Sequence, residues 1–298
     1  IIYQVDNTAG YYYNSGTPAL PVWTRLLQQG SDAFWQASND HIHNSNTGRV
    51  GIGTNDPKSR LHIVTDSSVL FSADGDINFI SGLTPVTGPG RRMLWYPWRA
   101  AFRAGYVLNN NWNDNKIGNY SVAMGYNPEA SGFASIALGP SSKATGDNSV
   151  ALGANAWAQV EGAFAAGHTV TVSGNYSSAF GHNTTVNGTG SFAFGETNTV
   201  NASYAGVIGR NNDVSGDGSF VTGRQSQALG LYSFASGFQA KATNDYSFAA
   251  GNMSTASGIG SLAIGQFSTA SGPYSIALGN SCFSAGTGSF AAGQNINM

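Results

Sequence analysis

Few side chains in this sequence are placed to do chemistry, and those that are fall into pairs and columns. His41-Ile42-His43 puts two imidazoles on one face of a strand, and in a threefold fibre three such pairs supply an octahedral metal site on the axis; the alternative is a pair of solvated loop residues. His168 and His182 stand fourteen residues apart and are followed at the same interval by Glu196, Arg210 and Arg224. That column reads as a polar surface ladder, or as a pH-sensitive or anionic-glycan contact. Asp147 and Glu161 share the interval, and if it is one structural repeat their carboxylates stand about 5 Å apart, near the separation of a retaining glycosidase. No further partner accompanies them, so an exposed, water-diluted pair is the plainer reading. Tyr120, Tyr176, Tyr204, Tyr232, Tyr246 and Tyr274 occupy one further column. If exposed, they offer flat amphipathic platforms for sugars or collagen-like ligands; if they pad a turn or face a neighbouring chain, they are structural. The single Cys282 excludes an internal disulfide and a cysteine zinc site, and no G-x-S-x-G, HExxH or P-loop is present, so no cofactor and no enzymatic centre is expected.

The elements that carry these residues must form from an unusual composition. Lys and Arg number 13 and Asp and Glu 15, 9% of 298 residues, where about 25% is ordinary. A charged helical surface is excluded. The net charge of −2 gives no footprint for a phosphate backbone, so nucleic acid is not an expected partner. With 40 Gly and 41% hydrophobic residues, the chain is neither collagen-like nor disordered. No run of 18 apolar residues occurs, and the opening IIYQVDNTAG lacks the layout of a signal peptide, so the sequence reads as a piece of something longer.

From Ser121 a fourteen-residue unit repeats without insertion. Glycines fall at Gly125, Gly139, Gly153, Gly167, Gly181, Gly195, Gly209, Gly223, Gly237, Gly251, Gly265, Gly279 and Gly293, thirteen in succession and marking structural turns or close approaches. Each unit opens Ser-Φ-Ala-Φ-Gly, where Φ is a large apolar residue, as in Ser135-Ile136-Ala137-Leu138-Gly139. Small and large residues alternate with the period of a strand with two different faces. A second Gly comes seven residues later in nine of twelve complete units, so each unit reads as two short strands and two tight turns. Fourteen residues are too few for a helical crossover and enough for one coil of a solenoid whose strands pair in parallel with their equivalents. The large positions trade volume, Phe234 with Ser236, Phe248 with Ala250 and Ile276 with Leu278, as though filling one compartment. Phe192 and Phe194 share a unit flanked by Ser178 and Gly206, which implies direct stacking of successive units. Thirteen coils at about 4.8 Å make a rod roughly 60 Å long.

SVAMG, SIALG, SVALG, SFAFG and SLAIG at this spacing closely resemble the head repeats of trimeric autotransporter adhesins, the YadA-like heads, over residues 121–298. The resemblance implies an all-β, left-handed parallel β-roll of fourteen-residue coils, a homotrimer, and an extracellular head on a cell surface or fibre appendage that attaches to cells, matrix, glycans or surfaces. Neither a heptad stalk nor a membrane β-barrel is present in the sequence.

The first 120 residues differ, holding five of the six Trp and the cluster Tyr11-Tyr12-Tyr13. Within them, GRVGIGTNDPKSRLHI at 48–63 resembles segments that open fibre modules in phage tail fibres and in Bacteroidetes-type surface proteins, and Arg92–Pro97 with Ala101–Gly105 resembles the lead-in to YadA-like repeats. The sequence thus divides into an aromatic-rich segment (1–46), a β-rich adaptor (47–106) and the roll (107–298), with 107–120 a degenerate first coil or cap. The expected function is attachment through weak contacts made by a polar face of Asn, Ser, Thr and Gln side chains and multiplied by trimer avidity. Alternatives are a spacer or receptor-binding fibre of a phage or contractile injection apparatus and, less well supported, a fibre-borne carbohydrate-active enzyme. A repeat running to Met298 implies further chain or another subunit over that end.

Overall fold

Alternating small and large residues give a strand one narrow and one bulky face, and a computed structural model shows where each face goes. It describes residues 2–4, 10–14, 17–20, 22–25, 35–38, 41–44, 48–77 and 83–298, with side chains for 17–20, 22, 48–77 and 83–298. The chain divides into two units, Ile1–Phe71 and Ser72–Met298.

The second unit holds the repeats. Each coil contributes a long strand such as Phe164–His168 and a two-residue strand such as Thr171–Val172. The long strands form one fifteen-stranded sheet and the short ones a twelve-stranded sheet. Pairing is parallel and shifted by one repeat at every step: Phe164 opposes Ser178, which opposes Phe192. This unit is an all-β parallel solenoid, and the only helical pieces among the described residues are the 3-10 turns Pro97–Arg99 and Asp114–Lys116.

The small residues face inward. Ala165, Ala179, Ala193, Val207 and Val221 from the long strands and Val172, Val186, Val200 and Val214 from the short ones are completely buried in one cluster. A coil is so thin that little beyond Ala or Val fits between its two strands. The compartment filled by the large residues therefore lies outside the coil, on the outer face of the long sheet. There Phe180 stacks on Phe194 with centroids 4.8 Å apart, and Phe234 on Phe248 at 4.7 Å. Phe192 and Phe220 close over Gly206 to within 6.0 Å, where any Cβ would strike both rings. The volume trade seen in the sequence is this compensation between neighbouring coils.

Many interior polar groups are satisfied by ladders, although the buried hydroxyls of Ser254, Ser261 and Ser275 have no partner. Ser191 Oγ donates to the Ala202 carbonyl at 2.8 Å and accepts the Ala205 N–H at 3.0 Å, binding one coil to the next. Asn198 and Asn212 do the same at the other bend: the Asn212 N–H reaches Asn198 Oδ1 at 3.1 Å, and Asn198 Nδ2 reaches the Gly209 carbonyl at 2.8 Å. All thirteen glycines of the main column have φ between 115° and 133°. Most lie inside the long strand, where backbones approach so closely that a Cβ on Gly181 would sit 1.8 Å from the Gly195 carbonyl oxygen.

The sheet extends upstream of residue 107. Ala101–Val107 pairs in parallel with Val122–Tyr126, Phe102 opposing Val122, and Gly90–Tyr96 adds an antiparallel edge. The step from 102 to 122 is twenty residues, six more than a repeat, and the surplus folds over the open end of the core. Trp112 is buried there and donates to the Pro128 carbonyl at 3.1 Å. Arg103 takes the inward position opposite Ala123 and is fully buried. Its guanidinium donates to Phe102 O, Ser121 O, Ser121 Oγ and Ala130 O at 2.8–2.9 Å. Burial pushes its pKa down to about 10, so it remains charged at neutral pH.

In the first unit, Ile2–Gln4, Gly10–Asn14 and Trp23–Arg25 form an antiparallel sheet, and Trp35–Ser38 pairs with His41–Asn44. The VGIGT segment pairs Val50–Ile52 in parallel with Leu61–Ile63, and Gly53 at φ 72° lets the Val64 carbonyl approach where a Cβ would meet it at 2.1 Å.

Candidate binding surface

Each coil turns twice through a left-handed residue, and the second of these, just before the inward Ser, carries the tyrosine column. Tyr176, Tyr204, Tyr232, Tyr246 and Tyr274 have φ of 52–56°. Bulky L-residues take this conformation at a cost of about 1–2 kcal/mol. Gly162, Gly190, Gly218 and Gly260 occupy the same turn at φ 62–68° in the coils between. The tyrosines project outward, Tyr204 being 75% exposed and the other four 62–66%. Each ring leans back over the preceding coil: a Cβ on Gly162 would meet Tyr176 Cδ1 at 2.6 Å, and one on Gly218 would meet Tyr232 Cδ1 at 2.6 Å. Where two tyrosines follow directly, Tyr232 and Tyr246 stack at 5.8 Å and 12°. Glycine thus makes room for the ring of the next coil, which explains the Tyr–Gly alternation in the column.

The neighbouring column explains the carboxylates. The second-turn N–H of one coil is accepted by the side chain one coil on: Phe133 N–H by Asp147 Oδ1 at 2.8 Å, Ser203 N–H by Asp217 at 2.8 Å, and Leu231 N–H by Asp245 at 2.9 Å. Glu161 accepts the hydroxyl of Tyr176, which raises that phenol's pKa, with desolvation adding to the effect. Asp147 is thus engaged with the Phe133 N–H and Glu161 with the Tyr176 hydroxyl.

His168 and His182 do come together, as the sequence spacing predicts. Their rings stack at 5.2 Å and 21°, exposed, with His168 Nδ1 and Thr169 Oγ1 in hydrogen-bond contact at 3.1 Å. The column continues with an ion pair between Arg210 Nε and Glu196 Oε2 at 3.3 Å and with Arg224 4.9 Å over Phe238. Half-exposed pairs of this kind contribute at most about 1 kcal/mol. Among the described residues no group of three His, Cys, Asp or Glu is placed to hold a metal. The backbones of His41 and His43 lie on a described strand, but their side chains fall outside the described residues.

A shallow polar groove also follows the first bend. One stretch of ≈ 400 Å³ is lined by Gln225, Gln227, Gln239, Lys241, Met253 and Thr255, and another of the same volume includes Thr197, Thr199, Asn211 and Asp213. The sequence reading named a polar face of Asn, Ser, Thr and Gln side chains but did not locate it in a groove, because residues of these types elsewhere only face solvent. The signal available was the recurrence of amide and hydroxyl side chains two positions apart on either side of a buried residue.

With this geometry in hand, the comparison with known families is direct. The YadA head domain repeat (2 copies) family model matches residues 130–156, 173–195, 228–252 and 256–281. The roll of this chain is therefore a YadA-like head. No curated protein matches the chain.

Proposed function

We propose that this chain forms a homotrimeric head, on a cell surface or fibre appendage, that attaches to cells, matrix or surfaces through many weak contacts. The observation that carries this reading is the outer face of the long sheet. From Phe164 to Phe248 it presents a nearly continuous row of stacked phenylalanines, continued by Leu262, Ile264 and Ile276. In one chain these side chains are only half covered, and Phe194, Ile208 and Ile264 are exposed. A contiguous apolar strip of this length on a protein with 9% charged residues is a surface for association. Three copies meeting along it leave the bends, with their tyrosine, histidine and amide columns, facing outward for ligand, and multiply each weak contact threefold.

Light scattering on the purified chain tests the assembly, with a mass about three times 30.9 kDa expected. A stable monomer overturns it. Attachment is tested by coating beads with the trimer and counting their retention on cultured cells, matrix proteins and bare polymer. Retention no greater than that of uncoated beads on all three removes the adhesive reading.

A further inference from the structure

We propose that the tyrosine column binds an extended, uncharged β-1,4-linked polysaccharide, with successive rings stacking on every second sugar; this deepens the adhesive reading and rests on it. The fold does not need tyrosine at this turn. Glycine adopts the same left-handed geometry at 190, 218 and 260 without strain, whereas Tyr176, Tyr204 and Tyr232 adopt it against their preference while leaving about two thirds of their surface in water. The rings are held in place, since Tyr176, Tyr204, Tyr232 and Tyr274 lean on the glycine of the coil before and Tyr246 stacks on Tyr232, so little side-chain freedom remains to be lost on binding.

Spacing selects the ligand. Tyr176, Tyr204 and Tyr232 recur every second coil, roughly 9.6 Å along the axis, as do Tyr246 and Tyr274. An extended β-1,4-linked chain advances by nearly this distance for two sugars and presents the same sugar face at each such step. An α-1,4-linked chain coils and does not. The flanks supply partners for hydroxyl groups: Asn175, Thr189 and Asp217 are exposed beside the rings. They also carry Glu161, Asp217 and Asp245 and no Lys or Arg, which disfavours an anionic glycan.

The test sediments the intact chain with microcrystalline cellulose and, in parallel, with insoluble starch. Depletion by cellulose and not by starch is expected. The double variant Tyr204→Gly, Tyr232→Gly places at both turns the residue the roll already uses at 190 and 218, so it keeps its melting temperature while its affinity for cellulose falls about tenfold or more. No binding of the parent chain to cellulose, equal binding to starch, or an unchanged affinity in the double variant overturns the proposal. Bead retention on cells and matrix, measured alongside, separates the two readings: if it persists while cellulose binding is absent, the ligand assignment fails alone, and if both are absent, the adhesive reading fails with it.

Discussion

Arg103 shows how one residue can close a solenoid. It occupies an inward position that every later coil gives to Ala or Val, and its donors reach Ser121 and Ala130 of the first regular coil. Truncation to Ala leaves a cavity at the mouth and removes charge-assisted hydrogen bonds, a loss of about 2–4 kcal/mol. Hydrogen exchange should report it locally, with faster exchange in Val122–Tyr126 and no change in Phe248–Asn252. Protection lost evenly along the roll would contradict a capping role. Beside it, the Tyr96 hydroxyl donates to Asp114 at 2.6 Å, and its pKa is raised above 10.0 by desolvation first and by Asp114 second. A raised folded-state value means stability that is complete below pH 10 and is lost as pH rises through the folded value. Alkaline titration followed by Trp fluorescence should show this loss in the parent chain and not in Tyr96→Phe.

The coil is the element on which legibility turned. The fourteen-residue period, the parallel pairing and the stacking of His168 on His182 could all be read from spacing alone, because a solenoid places every fourteenth residue on the same spot. What a period of two cannot say is which face is inside. Phe is usually a core residue, yet here the gap between strands admits only Ala and Val, and Phe goes out. Nor could the sequence reveal that tyrosine occupies a left-handed turn, since that conformation normally signals Gly or Asn. Arg103 was hidden for another reason: it lies where the period is broken by six residues, so no column pointed to it. The narrow interior makes a sharp prediction. Ala193→Val should change stability by less than about 1.5 kcal/mol, since Val207 follows in the same column, whereas Ala193→Phe should overpack the coil by several kcal/mol. Urea denaturation of both variants checks this, and equal tolerance would mean the strands separate easily.

For the whole roll, function follows from having two kinds of surface that the repeat keeps apart. Apolar side chains line one sheet face over many coils, while aromatic and amide side chains ring the bends. Replacing Phe180 and Phe194 together with Ser should leave the interior ladder intact, because neither ring enters it, and should dissociate the assembly. Light scattering would then give the monomer mass with the far-ultraviolet spectrum of the parent. A variant that remains trimeric would place the association surface elsewhere.

The backbone hydrogen bonds that join coils all run along the roll, as in Phe164 N–H to Ser177 O and Phe192 N–H to Ala205 O. A load pulling along that direction meets them one coil at a time, in the manner of a zip, and not all together as in shear. Each coil that opens pays out roughly 40 Å of slack, fourteen residues of extended chain less one coil of height. Were the roll held at one end and gripped at several heights, as the proposed attachment requires, it would be a graded shock absorber, lengthening in steps under drag and re-forming from the coils that stayed closed.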